Sequence, residues 1–373
     1  MAAPWRLAAE SMRITDLQLE HYRNIRQAHF QPGPELTVIC GRNGQGKTNL
    51  LEAVWLMTGG KSFRGSKDAE LIQRDQPFGS LQAVTETDQG QQNRIHLTIG
   101  SKQSPRPGRC ARRNGVDLGR AAALAGSFPA VVFEPGNLNL IKGSPEGRRR
   151  FLDAALCQLY PGYLATWRRY ARLLAQKNAL LKQYHRTPGA GEMLDVFDQE
   201  LARHGEELMA RRSRYMELLI PFAQENYAQI SRGSEPLQLH YKPSCEPGQL
   251  AQLLAQARSS DLRAGFGTAG PHREDFEVLL AGQPARLYAS QGQQRSAVLS
   301  LKLAEASCTQ QITGEHPVML LDDVLSELDA VRQEYLLTRM RGKQTIVTAC
   351  DSSLFHKTEG VMVCMEQGTL RPL

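Results

Sequence analysis

Eight residues, Gly41-Arg42-Asn43-Gly44-Gln45-Gly46-Lys47-Thr48, constrain this chain more than any other stretch. They fit glycine, four residues, glycine-lysine-threonine, the pattern of a phosphate-binding loop. Leu36-Thr37-Val38-Ile39-Cys40 precedes them, short, apolar and β-rich, which predicts a buried strand. The run from Asn49 to Met57 follows, apolar on one helical face, and Gly59-Gly60 suits the end of a helix. A strand, a glycine turn and a helix are the context this motif needs. Backbone N–H groups in the turn and at the helix N-terminus offer partial positive charge to a phosphate, and glycines let the backbone come close. Gly41, Arg42, Asn43, Gly44, Gln45, Gly46, Lys47, Thr48 and Asn49 are therefore the expected contacts of a nucleoside triphosphate. Lys47 would reach the β- and γ-phosphates, and the Thr48 hydroxyl would ligate Mg²⁺.

At 373 residues the chain is long for one core, so two domains or lobes are expected. Hydrophobic residues make up 41% of it, enough for a packed interior, yet no run of eighteen apolar residues exists to span a membrane. Residues 1–11 lack the apolar core of a signal peptide and are predicted to be a disordered extension, with Met12 a candidate start. The cysteines at 40, 110, 157, 245, 308, 350 and 364 form no C-x-x-C pair. That argues against a disulfide framework or a zinc site, and for a reducing cytosol. A net charge of +7 is a weak pointer to a polyanionic partner; its distribution says more.

Ile14 to Glu20 alternates apolar and polar residues, the mark of a half-buried strand, and Ala28-His29-Phe30 suggests a second. Leu81–Thr85 and Ile95–Ile99 read as strands, as does Val131-Val132-Phe133. Residues 101–113 hold five basic residues, no acid and two prolines, which leaves a solvated loop and a nucleic-acid contact equally open. From Pro145 the pattern turns helical. Ser144 suits an N-cap with Pro145 at the first position, and Pro161-Gly162 ends that helix. A later stripe, Leu194, Leu201, Leu208, Tyr215 and Phe222, recurs every seven residues, but His204 and Arg211 interrupt its seam, against an extended coiled coil. Between Arg148 and Arg186 nine basic residues face one acid, Asp153. Arg148, Arg149, Arg150, Arg168, Arg169 and Arg172 are the expected DNA contacts, while Tyr163, Trp167 and Tyr170 suit the core. His272 beside Arg273 is open between a structural role and a phosphate contact.

Val318-Met319-Leu320-Leu321-Asp322-Asp323 is an apolar strand ending in two carboxylates, the Walker B pattern. Asp322 is placed to hold Mg²⁺. Asp323, on the opposite side of the strand, would orient or deprotonate the attacking water. Ser290 is a plausible N-cap. Ser290-Gln291-Gly292-Gln293 resembles the signature motif of ABC-type ATPases, which implies that Ser290, Gly292 and Gln293 meet the γ-phosphate of nucleotide held by an opposite subunit. Asp329 resembles the aspartate of a D-loop. After the strand Thr345–Ala349, ABC-type ATPases often carry a histidine, where this chain offers Thr348, Cys350 and Asp351; the departure argues for a slow switch.

From Ile14 onward the chain resembles the RecF family, recombination-repair ATPases related to SMC heads. The resemblance rests on residues 41–53, on Lys142-Gly143-Ser144-Pro145 with Arg148–Asp153, and on Gln176–Leu180. Gly270-Pro271-His272-Arg273, Ser290–Gln294 and Leu321–Asp329 complete it. Its departures are the eleven-residue extension and Glu274, where an aspartate is commoner. The resemblance implies an α/β fold, an ABC-type P-loop ATPase head (lobe I) with a mainly helical second lobe and no long coiled coil. Lobe I would span 12–145 and 305–373, and lobe II 146–304. It further implies ATP and Mg²⁺ as cofactors, slow hydrolysis using Lys47, Ser290 and Asp323, and an ATP-dependent homodimer. Single-stranded, double-stranded and gapped DNA would be partners, with RecO and RecR, in placing the recombinase during repair, replication and the SOS response. Two rivals are the nucleotide-binding subunit of an ABC transporter and a DNA clamp that hardly hydrolyses its nucleotide.

Overall fold

The computed structural model describes residues 12–351, 355 and 360–372; the expectation for residues 1–11 lies outside them. The chain forms two compact units, one ending at Asn137 and resuming at Leu301, the other running Leu138–Ser300. These limits differ from the expected 145/146 and 304/305. The short helix of residues 139–142 already packs on the helices that follow it, so the change of unit precedes the Ser144-Pro145 signal.

The first unit holds two six-stranded sheets. One is antiparallel and built from β1 (Arg13–Tyr22), β2 (Ile25–Phe30), β4 (Phe78–Glu86), β5 (Gln92–Gly100), β6 (Gly108–Arg113) and β7 (Val116–Arg120). The other has the order β15-β14-β3-β13-β12-β8. Its members are β3 (Leu36–Cys40), β8 (Ala130–Phe133), β12 (Val318–Asp322), β13 (Thr345–Ala349), β14 (Val361–Glu366) and β15 (Thr369–Pro372). All but β15 run parallel. β8, β12 and β13 are buried at every position, as continuous apolar runs in a covered parallel sheet should be.

Helix α1 (Lys47–Leu56) shares one core with both sheets. Leu50, Leu51, Ala53, Val54 and Leu56 are shielded together with Leu17 and Leu81 of one sheet and Ile39, Leu320 and Ile346 of the other. Beyond its first three residues the helix is apolar nearly all round, which is stable only when covered on several sides. The polar exception in that part is Glu52, fully buried, whose carboxylate accepts from Tyr22 Oη (2.8 Å), Arg23 Nε (2.5 Å) and Ser62 Oγ (2.5 Å). That network holds the turn between β1 and β2 against the helix.

Residues 108–113, read as part of an open loop, are strand β6. Asn114 and Gly115 both take positive φ (51° and 82°) and turn the chain into β7, the geometry that Asn-Gly favours in a tight hairpin. The basic residues here are mostly tied down: Arg106 to Asp117 (2.7 Å), Arg109 to Asp68 (2.9 Å) and Arg113 to Ser127 (2.8 Å).

The second unit is mainly helical, with α2 (Asn139–Lys142), α3 (Pro145–Leu159), α4 (Tyr163–Lys182), α5 (Ala190–Ser231) and α6 (Leu250–Ala264). A small sheet of β9 (Leu237–Lys242), β10 (Asp275–Leu280) and β11 (Gln283–Pro284) completes it, followed by α7 (Ala285–Tyr288). Helix α8 (Gln291–Thr313) leads back into the first unit, where α9 (Ala330–Met340) follows β12. α5 continues through Pro221 and is the longest helix. Among the described residues, no helix is long and apolar enough to cross a membrane.

Candidate nucleotide site

In a parallel sheet every strand delivers its carboxyl end to one edge, and ligands bind there. β3 ends at that edge in the loop Gly41–Gly46, β12 in Asp322, β13 in Cys350 and β8 in Glu134. β13 lies between β3 and β12, so Thr348 pairs in register with both Asp322 and Ile39. The two ends of the sequence thereby meet.

The loop is shaped by its glycines at two positions. Gly41 has φ 148°, and a Cβ there would sit 2.4 Å from the Met365 carbonyl oxygen. Gly46 has φ 115°, and its Cβ would meet the Asn24 amide at 2.9 Å. Asn24 Nδ2 donates to the Gln45 carbonyl (3.1 Å), and the Gly368 N–H donates to the same oxygen (2.9 Å). The β1–β2 turn and the β14–β15 turn thus brace the loop from outside. Lys47, 6% exposed, bends over it and donates to the carbonyls of Gly41 (2.5 Å) and Arg42 (3.0 Å). Cys350 Sγ lies 3.7 Å from Lys47 Nζ and 3.0 Å from Asn43 Oδ1, so the position after β13 faces the phosphate loop with a thiol.

Thr48 Oγ1 donates to Asp322 Oδ1 (2.8 Å), and Thr348 Oγ1 donates to the same oxygen (2.9 Å). Burial pushes the Asp322 carboxyl above its ordinary range, opposed by these two hydroxyls. Asp323 does not continue the strand, contrary to the alternation expected of it. It takes φ 52°, its N–H donates to Thr348 Oγ1 (2.9 Å), and its carbonyl accepts from Ser326 Oγ (2.7 Å). The left-handed turn, rather than strand alternation, aims its carboxylate.

Two further residues at this edge escaped the sequence reading. Glu134 follows β8, and burial pushes its carboxyl up to about 7, with Lys302 opposing and Asp322 adding to the shift. The signal was an acid directly after a short buried strand, as at Asp322. Arg64 Nη1 donates to Asn49 Oδ1 (2.9 Å), and Asn49 Nδ2 donates to Asn24 Oδ1 (2.7 Å). Its charge is felt at both Asp322 and Glu134.

The donor set suits Mg²⁺ and a triphosphate. A hydroxyl and a carboxylate oxygen are hard ligands of the kind that cation takes, and the glycine loop leaves room at Gly44, where a Cβ would meet nothing within 4 Å.

In the second unit, Ser290 caps α8. Its Oγ accepts from the Gln293 N–H (3.2 Å), and Gln293 Oε1 accepts from the Ser290 N–H (2.8 Å), a reciprocal capping box. Ser290 itself is exposed, and Gly292 half-buried beside it.

The basic cluster divides. Arg148, 7% exposed, is no free DNA contact: its Nε and Nη2 grip Asp275 at 2.6 and 2.8 Å. Arg149 donates to the Glu274 carbonyl (2.6 Å), and Arg150, though exposed, pairs with Glu146 one turn away. Lys177 is buried between Asp261 (2.6 Å) and Asp198 (2.7 Å). The counter-charges of Arg148 and Lys177 lie far along the sequence, which is why a local count of acids missed them. Arg168, Arg169 and Arg172 are exposed on α4.

His272 is structural in its bonding. Its Nδ1 meets Tyr170 Oη (2.7 Å), its Nε2 meets the Gly267 carbonyl (3.0 Å), and burial pushes the imidazole down to about 4. Glu274 accepts from Arg212 (2.8 Å) and Tyr241 (2.7 Å), so the longer acid is fully used.

A phosphate loop on β3, a Walker B carboxylate on β12 and a capped Ser-Gln-Gly-Gln helix on a helical second unit together define an ABC-type ATPase head. The family model RecF/RecN/SMC N terminal domain matches residues 13–370. The chain is similar to the DNA replication and repair protein RecF of Oceanobacillus iheyensis, at 37% identity over 94% of this chain and all of the relative. The RecF of Heliobacterium modesticaldum is 39% identical, over 89% of this chain and 90% of its own. A solved structure of the recombination mediator protein RecF-ATP in the RecFOR pathway superposes with a TM-score of 0.90 at 31% identity, covering 99% of this chain and all of that one. The chain belongs to the RecF family.

Proposed function

We propose that this protein is an ATP-switched DNA-binding protein of recombinational repair and replication restart. ATP draws two copies together on gapped or single/double-strand DNA, and slow hydrolysis releases them. RecO and RecR act with it in loading the recombinase, as the RecFOR pathway of its solved relative suggests. The observation that carries the reading is the shared Asp322 oxygen, reached by Thr48 from the phosphate loop and Thr348 from the intervening strand.

Each residue's part follows from its chemistry. Thr48 and Asp322 would hold Mg²⁺, and ATP bound with it supplies the anhydride whose cleavage resets the switch. Lys47 brings its ammonium to the β- and γ-phosphates. Asp323 takes the proton of the attacking water or aims that water. Ser290, with Gly292 and Gln293 at the start of α8, offers a hydroxyl and helix N–H groups to the γ-phosphate held by the other copy. Arg168, Arg169 and Arg172 contact DNA phosphates, and Arg150, exposed on α3, is a further candidate. No observation favours the transporter subunit.

Mixing two inactive variants tests the shared site. Lys47→Ala and Ser290→Arg chains should each lack activity. One composite site of their heterodimer keeps both groups, so DNA-stimulated ATPase should partly return on mixing. ATP-dependent dimerisation of Ser290→Arg alone at the normal level, read by light scattering, would decide against this reading.

A further inference from the structure

Cys40 is the last residue of β3, and Cys364 lies in β14, the neighbouring parallel strand. The register pairs the two directly, one residue beyond the pair Val363 and Ile39. Ile39 and Met365 belong to the core that α1 shares with both sheets, and Val363 packs against it. Side chains alternate along a strand, so Cys40 and Cys364 both point to the opposite face. Neighbouring strands lie about 4.7–4.9 Å apart. A disulfide spans Cα atoms about 4.4–6.8 Å apart, so this pair needs no change of fold to meet it. Both thiols are free, Cys40 buried and Cys364 half-buried, the more open of the two to a small solute. Burial pushes the Cys40 thiol up, Cys364 adds to the shift, and Lys47 opposes it.

The pair stands where the phosphate loop leaves the sheet. Gly41 follows Cys40, and its carbonyl accepts from Lys47 Nζ (2.5 Å). Met365 follows Cys364, and its carbonyl oxygen would lie 2.4 Å from a Cβ on Gly41. Gly368, in the turn after β14, donates to the Gln45 carbonyl (2.9 Å). In a parallel register pair both Cα–Cβ bonds leave the sheet alike, so the Cβ atoms keep nearly the strand spacing. A disulfide brings its Cβ atoms to about 3.8 Å. Closing the bond therefore draws the end of β3 toward β14 by about 1 Å and carries Gly41 with it. Met365 already packs on Gly41, so the displacement falls on the loop.

We propose that Cys40 and Cys364 are a peroxide-sensitive thiol pair whose disulfide shuts the nucleotide site. The inference rests on the reading of Gly41–Thr48 as the loop that holds ATP. The Cys364 sulfur attacks one oxygen of hydrogen peroxide; the O–O bond breaks, and the leaving hydroxide departs with the thiol proton as water. The Cys40 sulfur then attacks the sulfenic sulfur, the S–O bond breaks, and a second water leaves with the Cys40 proton. Two thiols lose two electrons, and one peroxide becomes two waters. A dithiol reverses the bond by exchange. In a reducing compartment disulfides of this kind are transient and report oxidation rather than staple the fold.

Hydrogen peroxide on the full chain tests this, with the disulfide mapped by mass spectrometry of unreduced peptides. The peptides of Cys40 and Cys364 should appear linked. ATP hydrolysis should fall by about tenfold or more, since a displacement of about 1 Å among positioned groups can cost about 10²-fold. Dithiothreitol should restore free thiols and hydrolysis together. Cys364→Ala and Cys364→Ser, two replacements at a half-buried position, should hydrolyse ATP like the parent and keep doing so after peroxide. No linked peptide in the oxidised parent overturns the inference. A linked pair with unchanged hydrolysis overturns it too. Loss of hydrolysis in the treated Cys364 variants would assign the effect to another thiol, with exposed Cys350 first in line, and likewise overturns it. A reduced parent that hydrolyses no ATP would remove the site reading instead, and that failure is seen before any peroxide is added.

Discussion

Asp323 is the residue at which backbone and chemistry meet. A non-glycine residue at φ 52° is uncommon, and here hydrogen bonds to Thr348 and Ser326 hold it there. Asparagine accepts the left-handed region as readily as aspartate, so Asp323→Asn should keep the turn and lose only the carboxylate. ATP affinity should stay within about twofold, while hydrolysis should fall by about 10²-fold or more, the usual contribution of a positioned general base. Single-turnover kinetics beside a binding titration would check it. Unchanged hydrolysis would move the role to another group, with Glu134 next in place. The Asp322–Asp323 pair could be read from the sequence because a strand ending in acids is a local pattern. The turn could not, since it depends on Thr348, a residue of the neighbouring strand.

At the scale of elements, the phosphate loop was legible because strand, turn and helix are contiguous. Helix α4 and its neighbour α3 were legible only as helices. Which of their cations face outward is settled by Asp275, Asp198 and Asp261, each supplied by a later element. This separates two groups of arginines by experiment. Arg148→Ala strands the Asp275 carboxylate and should cost about 3 kcal/mol of stability, read as a lower denaturant midpoint. Replacing Arg168, Arg169 and Arg172 by Gln should leave that midpoint alone. It should flatten the dependence of DNA affinity on salt by about one unit for each phosphate left without its cation. A triple variant with the parent's salt slope would clear α4 of DNA contact. The β6–β7 hairpin was missed for a different reason: its run of arginines hid the alternation, although Asn114-Gly115 was the turn signal for it.

For the whole molecule, the order of strands carries a consequence for how the chain is made. β3 and β8 are synthesised early but are not neighbours, since β13 and β12 fill the space between them. At about 5–20 residues per second, the ribosome needs about 15–60 s to pass from Cys40 to Ala349. Throughout that interval the phosphate-loop strand has no partner in its own sheet, while residues 138–300 emerge complete. The helical unit should fold first, and the nucleotide site last. Stalled nascent chains offer the check: binding of a fluorescent ATP analogue should begin only when residue 349 has left the exit tunnel. Binding by chains stalled near residue 300 would show that the loop needs no completed sheet. On the proposed ATP-dependent pairing, a copy still being made should therefore be blind to ATP for most of its own synthesis, and unable to join finished copies while attached to its ribosome.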